Sequence, residues 1–228
     1  MDFFRTVIEI HKCSSTMNFA RQATDFVDKP FIVRADIQTK GKGQYERRWS
    51  SKAGGLWMTQ VFDINNPLGL STFIAIPLLR TLKKYHKNVN VKWPNDILLE
   101  NKKIAGILTE IKDKTAFIGI GINIANDIPV ELENIATTLS TVAEVSPSAF
   151  LGELLRIEEP LLNTFIADGF ASFRNEYEDN LVFINRQIIV ESKETYSGKA
   201  VGVSNAGELI IESNGSMIKI SSGTVKEF

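Results

Sequence analysis

The spacing of apolar residues shifts along the chain between a two-residue and a helical period, and those shifts predict the elements. Phe4 to Ile10 is rich in β-branched and aromatic side chains and predicts a strand. Two more strands are predicted at Phe31-Ile-Val33 and at Gly55 to Phe62, with a glycine loop between them. After Pro67, apolar residues at Leu70, Phe73, Ile74, Leu78 and Leu82 fit a helix running from Leu68 to about His86. Pro77 lies inside it and predicts a kink or interruption, because proline lacks a backbone donor and crowds the preceding turn. Val89, Val91 and Trp93 fall on one face of a short strand, with Asn90 and Lys92 on the other. Pro94-Asn-Asp96 and Asn101-Lys-Lys103 supply turns, and the next strand is expected from Ile104 to Ile111. Ala116 to Ile124 is apolar nearly throughout, as in a strand buried on both faces. Gly119 and Gly121 weaken such a strand, so something is expected to pack close against its backbone. Asn123 closes the run and needs a partner, either backbone or ligand.

From Ser148 to about Asp179 the pattern is helical again, with Pro160 as the expected break. Phe150, Leu154, Leu155, Leu161, Leu162, Phe165, Phe170 and Phe173 are its core-facing positions. Beyond Asn180 come short β-rich pieces at Gln187–Glu191, Gly198–Val203, Glu208–Glu212 and Met217–Ile220, with turns at Gly207 and Asn214-Gly215. This change of character predicts a main domain over 1–180 and a small β-barrel over 181–228.

Composition narrows the classes. Hydrophobic content of 43% and charged content of 23% are ordinary for a globular protein. A net charge of −1 offers no basic field for general nucleic-acid binding. The single cysteine, Cys13, excludes an internal disulfide framework and a multi-cysteine metal site, and two histidines (His11, His86) make no histidine cage. No run approaches the ~20 apolar residues of a membrane span. The first residues, Met-Asp-Phe-Phe-Arg, carry charge where a signal peptide is apolar, so the cytoplasm is the expected compartment.

Candidate chemistry concentrates in Gln38-Thr-Lys-Gly-Lys-Gly-Gln-Tyr-Glu-Arg-Arg-Trp49, where Lys40, Lys42, Arg47 and Arg48 face one anion, Glu46. Amides in a glycine loop can form an anion-binding concavity, and the cations add charge and donors. The loop is either a mobile flap over a small anion or a solvated hairpin tip, and it fits neither the Walker nor the dinucleotide pattern. Ser15 and Thr16 either cap a helix starting near Met17 or bind a polar ligand edge. Lys92 either sits in water or points from a strand end into a cleft.

Taken in order, Ser14-Ser-Thr16, the glycine loop, Lys92-Trp-Pro-Asn-Asp96, Lys103-Ile-Ala-Gly-Ile-Leu-Thr-Glu110 and Ile118-Gly-Ile-Gly-Ile-Asn123 resemble the catalytic and C-terminal portion of biotin protein ligases. The resemblance spans nearly the whole chain. It implies an α+β fold: a class II aminoacyl-tRNA synthetase-like catalytic domain with a mixed sheet and flanking helices, then an SH3-like barrel. It also implies that Ser15, Thr16, Gln38 and Gly106 contact biotin, and that Lys42, Gly43 and Gln44 lie on a flexible loop closing over it. Lys92 would meet the biotin carboxylate and the α-phosphate, while Arg47, Trp49, Lys103 and Asn123 fall where the family binds ATP. The family loop usually has arginine at positions 42 and 44, and often glycine at 46; Lys42 keeps charge without bidentate geometry, and Gln44 keeps only hydrogen bonding. Asparagine commonly follows the hydroxyl motif, where this chain has Met17.

The implied reaction is ATP-dependent formation of biotinyl-5′-AMP, with Mg²⁺ on the phosphates and no metal held by the protein, followed by transfer to a lysine of a biotin carboxyl carrier domain of acetyl-CoA or a related carboxylase. Lys92, Lys103, Lys42 and Arg47 are the expected catalytic cations. The resemblance implies a homodimer; no membrane partner is expected, and no DNA partner either, since the chain starts directly at the catalytic domain. Two other readings stay open: a lipoate- or octanoate-protein ligase, and a catalytically inactive biotin-binding regulator.

Overall fold

A computed structural model describes residues 3–227, excepting the side chains of Glu46 and Glu227. Seven strands form one mixed sheet: β1 (Thr6–Cys13), β2 (Phe31–Gln38), β3 (Leu56–Asp63), β4 (Val89–Lys92), β5 (Asp96–Leu99), β6 (Lys102–Lys112) and β7 (Thr115–Ile122). Their spatial order is β1-β2-β3-β7-β6-β5-β4. β1 and β2 are parallel, so the chain must cross over between them, and helix α1 (Thr16–Ala23) makes the crossing. The remaining neighbours are antiparallel.

The sheet's two faces are built differently. On β7, Ala116, Ile118, Ile120 and Ile122 point into a large core with α2 (Leu70–Lys83) and α3 (Pro147–Asp168). Phe117, Gly119 and Gly121 point the other way, where α1 packs Met17, Ala20 and Ala23 over Phe31, Val33, Val61 and Phe117. α1 is only eight residues long and covers only part of that face, leaving a cleft beside it.

Neither internal proline ends its helix. α2 runs through Pro77 and α3 through Pro160. A mid-helix proline costs about 3 kcal/mol, and each buried Leu, Ile or Phe returns roughly 1.5–3 kcal/mol. Eleven residues of α2 are buried, Pro77 among them, so packing outweighs the local defect. The break expected at Pro160 falls instead at Gly169, which adopts φ 73° and whose N–H reaches the Phe165 carbonyl at 2.8 Å. A short 3₁₀ turn and α4 (Arg174–Asp179) follow.

After α4 the backbone lines up against β4: the Val91 N–H donates to the Asn180 carbonyl and the Val182 N–H to the Val91 carbonyl. This covers what would otherwise be an open sheet edge. β8 (Gln187–Glu191), β9 (Thr195–Val203), β10 (Leu209–Ser213), β11 (Ser216–Ile220) and β12 (Thr224–Glu227) then form an antiparallel sheet in the order β11-β10-β9-β8-β12. The mixed sheet with flanking helices and the small β unit are thus both present; β12 is an addition to the expected strands. One apolar core joins the units, and the Trp93 indole N–H donates to the Gly207 carbonyl at 2.9 Å. No helix among the described residues is long and apolar enough to cross a membrane.

Candidate active site

Two cross-sheet rows run beneath a cleft of about 360 Å³, whose floor is their Leu108, Gly119, Gly121, Gly106, Asp96 and Lys92. Directly opposed residues in a ladder share a face. One row runs Thr59, Gly119, Leu108. The next runs Trp57, Gly121, Gly106, Asp96, Lys92. The glycines are small because other side chains lie on them. A Cβ at Gly121 would sit 2.6 Å from Trp49 Nε1, and one at Gly106 would sit 2.9 Å from the same indole. A Cβ at Gly119 would come within 3.2 Å of Met17 Cγ and Sδ. The close approach expected at Gly119 and Gly121 is therefore real.

At one end of the cleft, Gln38 organises a polar network. Its Oε1 accepts from the Thr16 N–H at 2.8 Å and Thr16 Oγ1 at 3.1 Å, while its Nε2 donates to Ser51 Oγ at 2.9 Å. Thr59 Oγ1 donates to Thr16 Oγ1, tying the network to the sheet. Ser15 occupies the N-cap position of α1 without a side-chain capping bond, and Thr16's amide is satisfied by Gln38 from across the sheet. The Thr16 hydroxyl, which looks like part of a cap, is here part of a long-range network.

The glycine loop folds over this floor. Gly41 is buried, and its carbonyl accepts from the Trp49 N–H at 2.9 Å. The Gly43 N–H donates to the Arg47 carbonyl at 2.8 Å, and the backbones of Lys42 and Arg48 pair antiparallel across the loop. The Lys40 N–H donates to the Ser14 carbonyl, fastening the loop to the start of α1. The Glu46 side chain, an unexpected anion in this loop, lies outside the described residues.

Cations gather at the other end. Lys103 Nζ lies 2.6 Å from Asp96 Oδ1, a charge contact without aligned hydrogen-bond geometry, and 5.1 Å from the Trp49 ring centroid. Burial pushes the Lys92 ammonium below its ordinary pKa; Asp96 opposes that shift, while Lys103 and Lys226 reinforce it. Lys92 is thus held in a place where a further negative charge would be welcome. Asn123 is buried, and its Oδ1 accepts from Asn126 Nδ2 at 3.2 Å.

All residues expected at the site line this one cleft: Ser15, Thr16, Gln38, Lys42, Gly43, Gln44, Arg47, Trp49, Lys92, Lys103, Gly106 and Asn123. Sequence reasoning missed Met17's place in the wall, Asp96, the rim formed by Asn126 to Ala136, and Gly223 with Thr224 and Val225 at the start of β12. Asp96 was hidden by its turn chemistry. The rim has no apolar period, and β12 reaches the cleft only through tertiary packing.

Fold and site together define an α+β protein with a cleft polar at one end and cationic at the other. The description "Biotin/lipoate A/B protein ligase family" matches residues 8–124, and "Biotin protein ligase C terminal domain" matches residues 183–226. The chain is 31% identical to the bifunctional ligase/repressor BirA of Bacillus subtilis, over 93% of this chain and 71% of that one. It is 24% identical to the biotin–[acetyl-CoA-carboxylase] ligase of Mycobacterium tuberculosis, over 85% and 77% respectively. The biotin protein ligase of Aquifex aeolicus, solved with biotin and ATP, superimposes with a TM-score of 0.89 at 26% identity, covering 99% of this chain and all of that one. The chain belongs to the biotin/lipoate A/B protein ligase family.

Proposed function

We propose that the protein is a biotin protein ligase: it condenses biotin with ATP to biotinyl-5′-AMP and passes the biotinyl group to a lysine of a carboxylase's carrier domain. The observation that carries this is one cleft with the Gln38–Thr16–Ser51 network at one end and Lys92 and Lys103 at the other. In the first step a biotin carboxylate oxygen attacks the α-phosphorus, and the bond to the β-phosphate oxygen breaks, releasing pyrophosphate. In the second, the acceptor amine attacks the acyl carbon and AMP leaves.

Two anions must meet in the first step, so repulsion is the main obstacle. Lys92 and Lys103 counter it from the floor, and Lys42 and Arg47 from the loop; removing one such contact typically costs ~10²–10³ in rate. Lys103 reaches phosphate by exchanging Asp96 for a stronger anion. Gln38, Thr16 and Ser15 orient the ureido ring, Gly106 lets the Trp49 indole settle against the floor beside the ligand, and Trp49 and Asn123 flank the nucleotide. Gln44 supplies a neutral donor where relatives use charge. The loop opens to admit ligand and closes to keep water from the mixed anhydride.

Among the described residues Asp96 is the one carboxylate lining the cleft, and no cluster of three His, Cys, Asp or Glu is present. These residues do not fit a protein-held metal, and Mg²⁺ would be carried on the phosphates of ATP. The catalytic unit is placed at 1–180 and the β unit at 181–228, a division supported by α4 ending at Asp179 and the second sheet starting at Gln187. A cytoplasmic homodimer, paired through the long edge strand β1, completes the reading.

Mass spectrometry of a biotin-domain acceptor after incubation with the protein, biotin and MgATP tests the proposal. A mass gain of one biotinyl group on lysine supports it. Transfer of lipoate or octanoate in preference to biotin, or no biotin-dependent ATP–pyrophosphate exchange, overturns it.

A further inference from the structure

We infer that Met17 is a specificity-determining residue of the ring-binding end of the cleft, an inference that rests on the reading of that cleft as a biotin site. The first turn of α1 lies across the row Thr59, Gly119, Leu108. Thr16 meets Thr59 through its hydroxyl, and Met17, one residue on, lays its Cγ and Sδ on Gly119. The inner end of the cleft is therefore split. Donors and acceptors crowd the Thr59 side, and a thioether with Leu108 walls the other.

The bicyclic head of biotin is split in the same way. Its ureido edge carries two N–H donors and a carbonyl, and its opposite edge is a thioether with no donor. Met17 is buried, lines the cleft and belongs to the apolar cluster under α1. An amide at this position would need a polar partner that this apolar wall does not offer. A flexible, polarisable side chain instead fills the irregular gap above Gly119 and fits a sulfur-bearing ring edge. Polar substitution at the ring sulfur is refused here because Met17 and Leu108 leave no hydrogen bond for it. The same wall would give a straight acyl chain no directional contact.

The test compares wild type with Met17→Ala and Met17→Leu in biotin-dependent ATP–pyrophosphate exchange. Biotin and its sulfone, whose ring sulfur carries two oxygens, are the ligands, and melting temperatures are recorded alongside. Met17→Ala should raise KM for biotin about tenfold or more with kcat within about twofold, the signature of lost ground-state binding. It should also lower the KM ratio of sulfone to biotin by about tenfold, because the truncated wall admits the oxygens. Met17→Leu should hold that ratio within about threefold of wild type. An unchanged ratio in Met17→Ala, with or without a lower melting temperature, overturns the inference and leaves Met17 as packing for α1. Should Met17→Ala not fold, a Met17→Leu ratio shifted as far as tenfold overturns it, and one within threefold supports it. Failure of wild type to catalyse biotin-dependent exchange would instead overturn the site reading itself.

Discussion

Glu158 is the group whose behaviour follows most directly from where the fold puts it. It lies on α3, wholly buried, with its Oε2 accepting from Gln60 Nε2 at 2.6 Å. Its Oε1 and Gln60 Oε1 have no partner among the described residues. Burial drives the carboxyl up from its ordinary 4.5 to about 7; the Gln60 bond pulls it back, and the charge of Glu159 adds to the rise. A proton on Glu158 would give the unpartnered Gln60 oxygen a donor, so the neutral acid suits this place better than the carboxylate.

A carboxyl whose folded pKa exceeds its unfolded value stabilises the fold fully below about 4.5, and that contribution is lost as pH rises through about 7. A gap of about 2.5 units corresponds to about 3 kcal/mol between the two extremes. Glu158→Gln keeps the shape and supplies a permanent N–H toward Gln60. Urea unfolding followed by far-UV circular dichroism at pH 4.5, 6, 7 and 8.5 measures the difference. The variant should match wild type within about 1 kcal/mol at the acid end and exceed it by about 3 kcal/mol at pH 8.5. In melting temperature that is on the order of 6–12 °C for a chain of this size. A constant offset between the two proteins across the range would refute the reasoning, because it would mean that Glu158 does not change protonation on unfolding.

Four further outcomes follow from the site and its supports. Lys103→Ala should lower the biotin-dependent exchange rate by about 10²–10³ while leaving unfolding by urea within about 1 kcal/mol of wild type, since its partner Asp96 is not wholly buried. Asp96→Asn removes the charge that counters the depression of the Lys92 pKa, so the alkaline limb of the exchange rate should move to lower pH in a pH–rate profile. Gly121→Ala should push Trp49 off the floor, seen as a shift in tryptophan fluorescence together with a rise in KM for ATP. Trypsin cleavage after Arg47 and Arg48, both exposed, should slow in the presence of biotin and ATP, read as the half-life of the intact chain.

Much of this could be read from residue order because the local and the tertiary preferences agree. Ala116 to Ile124 is apolar nearly throughout, which marks a strand covered on both faces, and Gly119 and Gly121 mark where something must lie close on one of them. The strand of Lys92 is equally plain, since Val89, Val91 and Trp93 can only be inward. Neither Pro77 nor Pro160 interrupts its helix, because the local rule is outweighed by burial along the whole helix. Gly169, which does end α3, carries no apolar signal to mark it. Thr16 looked like a cap because its true partner, Gln38, is brought near only by the β1–β2 crossover. Asp96 has turn chemistry but opens β5, and nothing local shows that Lys103 will reach it. β12 is four residues long and gains its meaning from pairing with β8 and from facing the cleft.

The seat of Trp93 carries one more implication. Its indole hangs on Gly207 of the β unit, and the next residue back is Lys92. The tail therefore acts as an abutment that fixes the aim of an ammonium group in another part of the molecule. Loosening anywhere in that abutment would be felt first as a drifting charge and a slower adenylation step, while the ring end, built from α1, β2 and β3, still held its ligand.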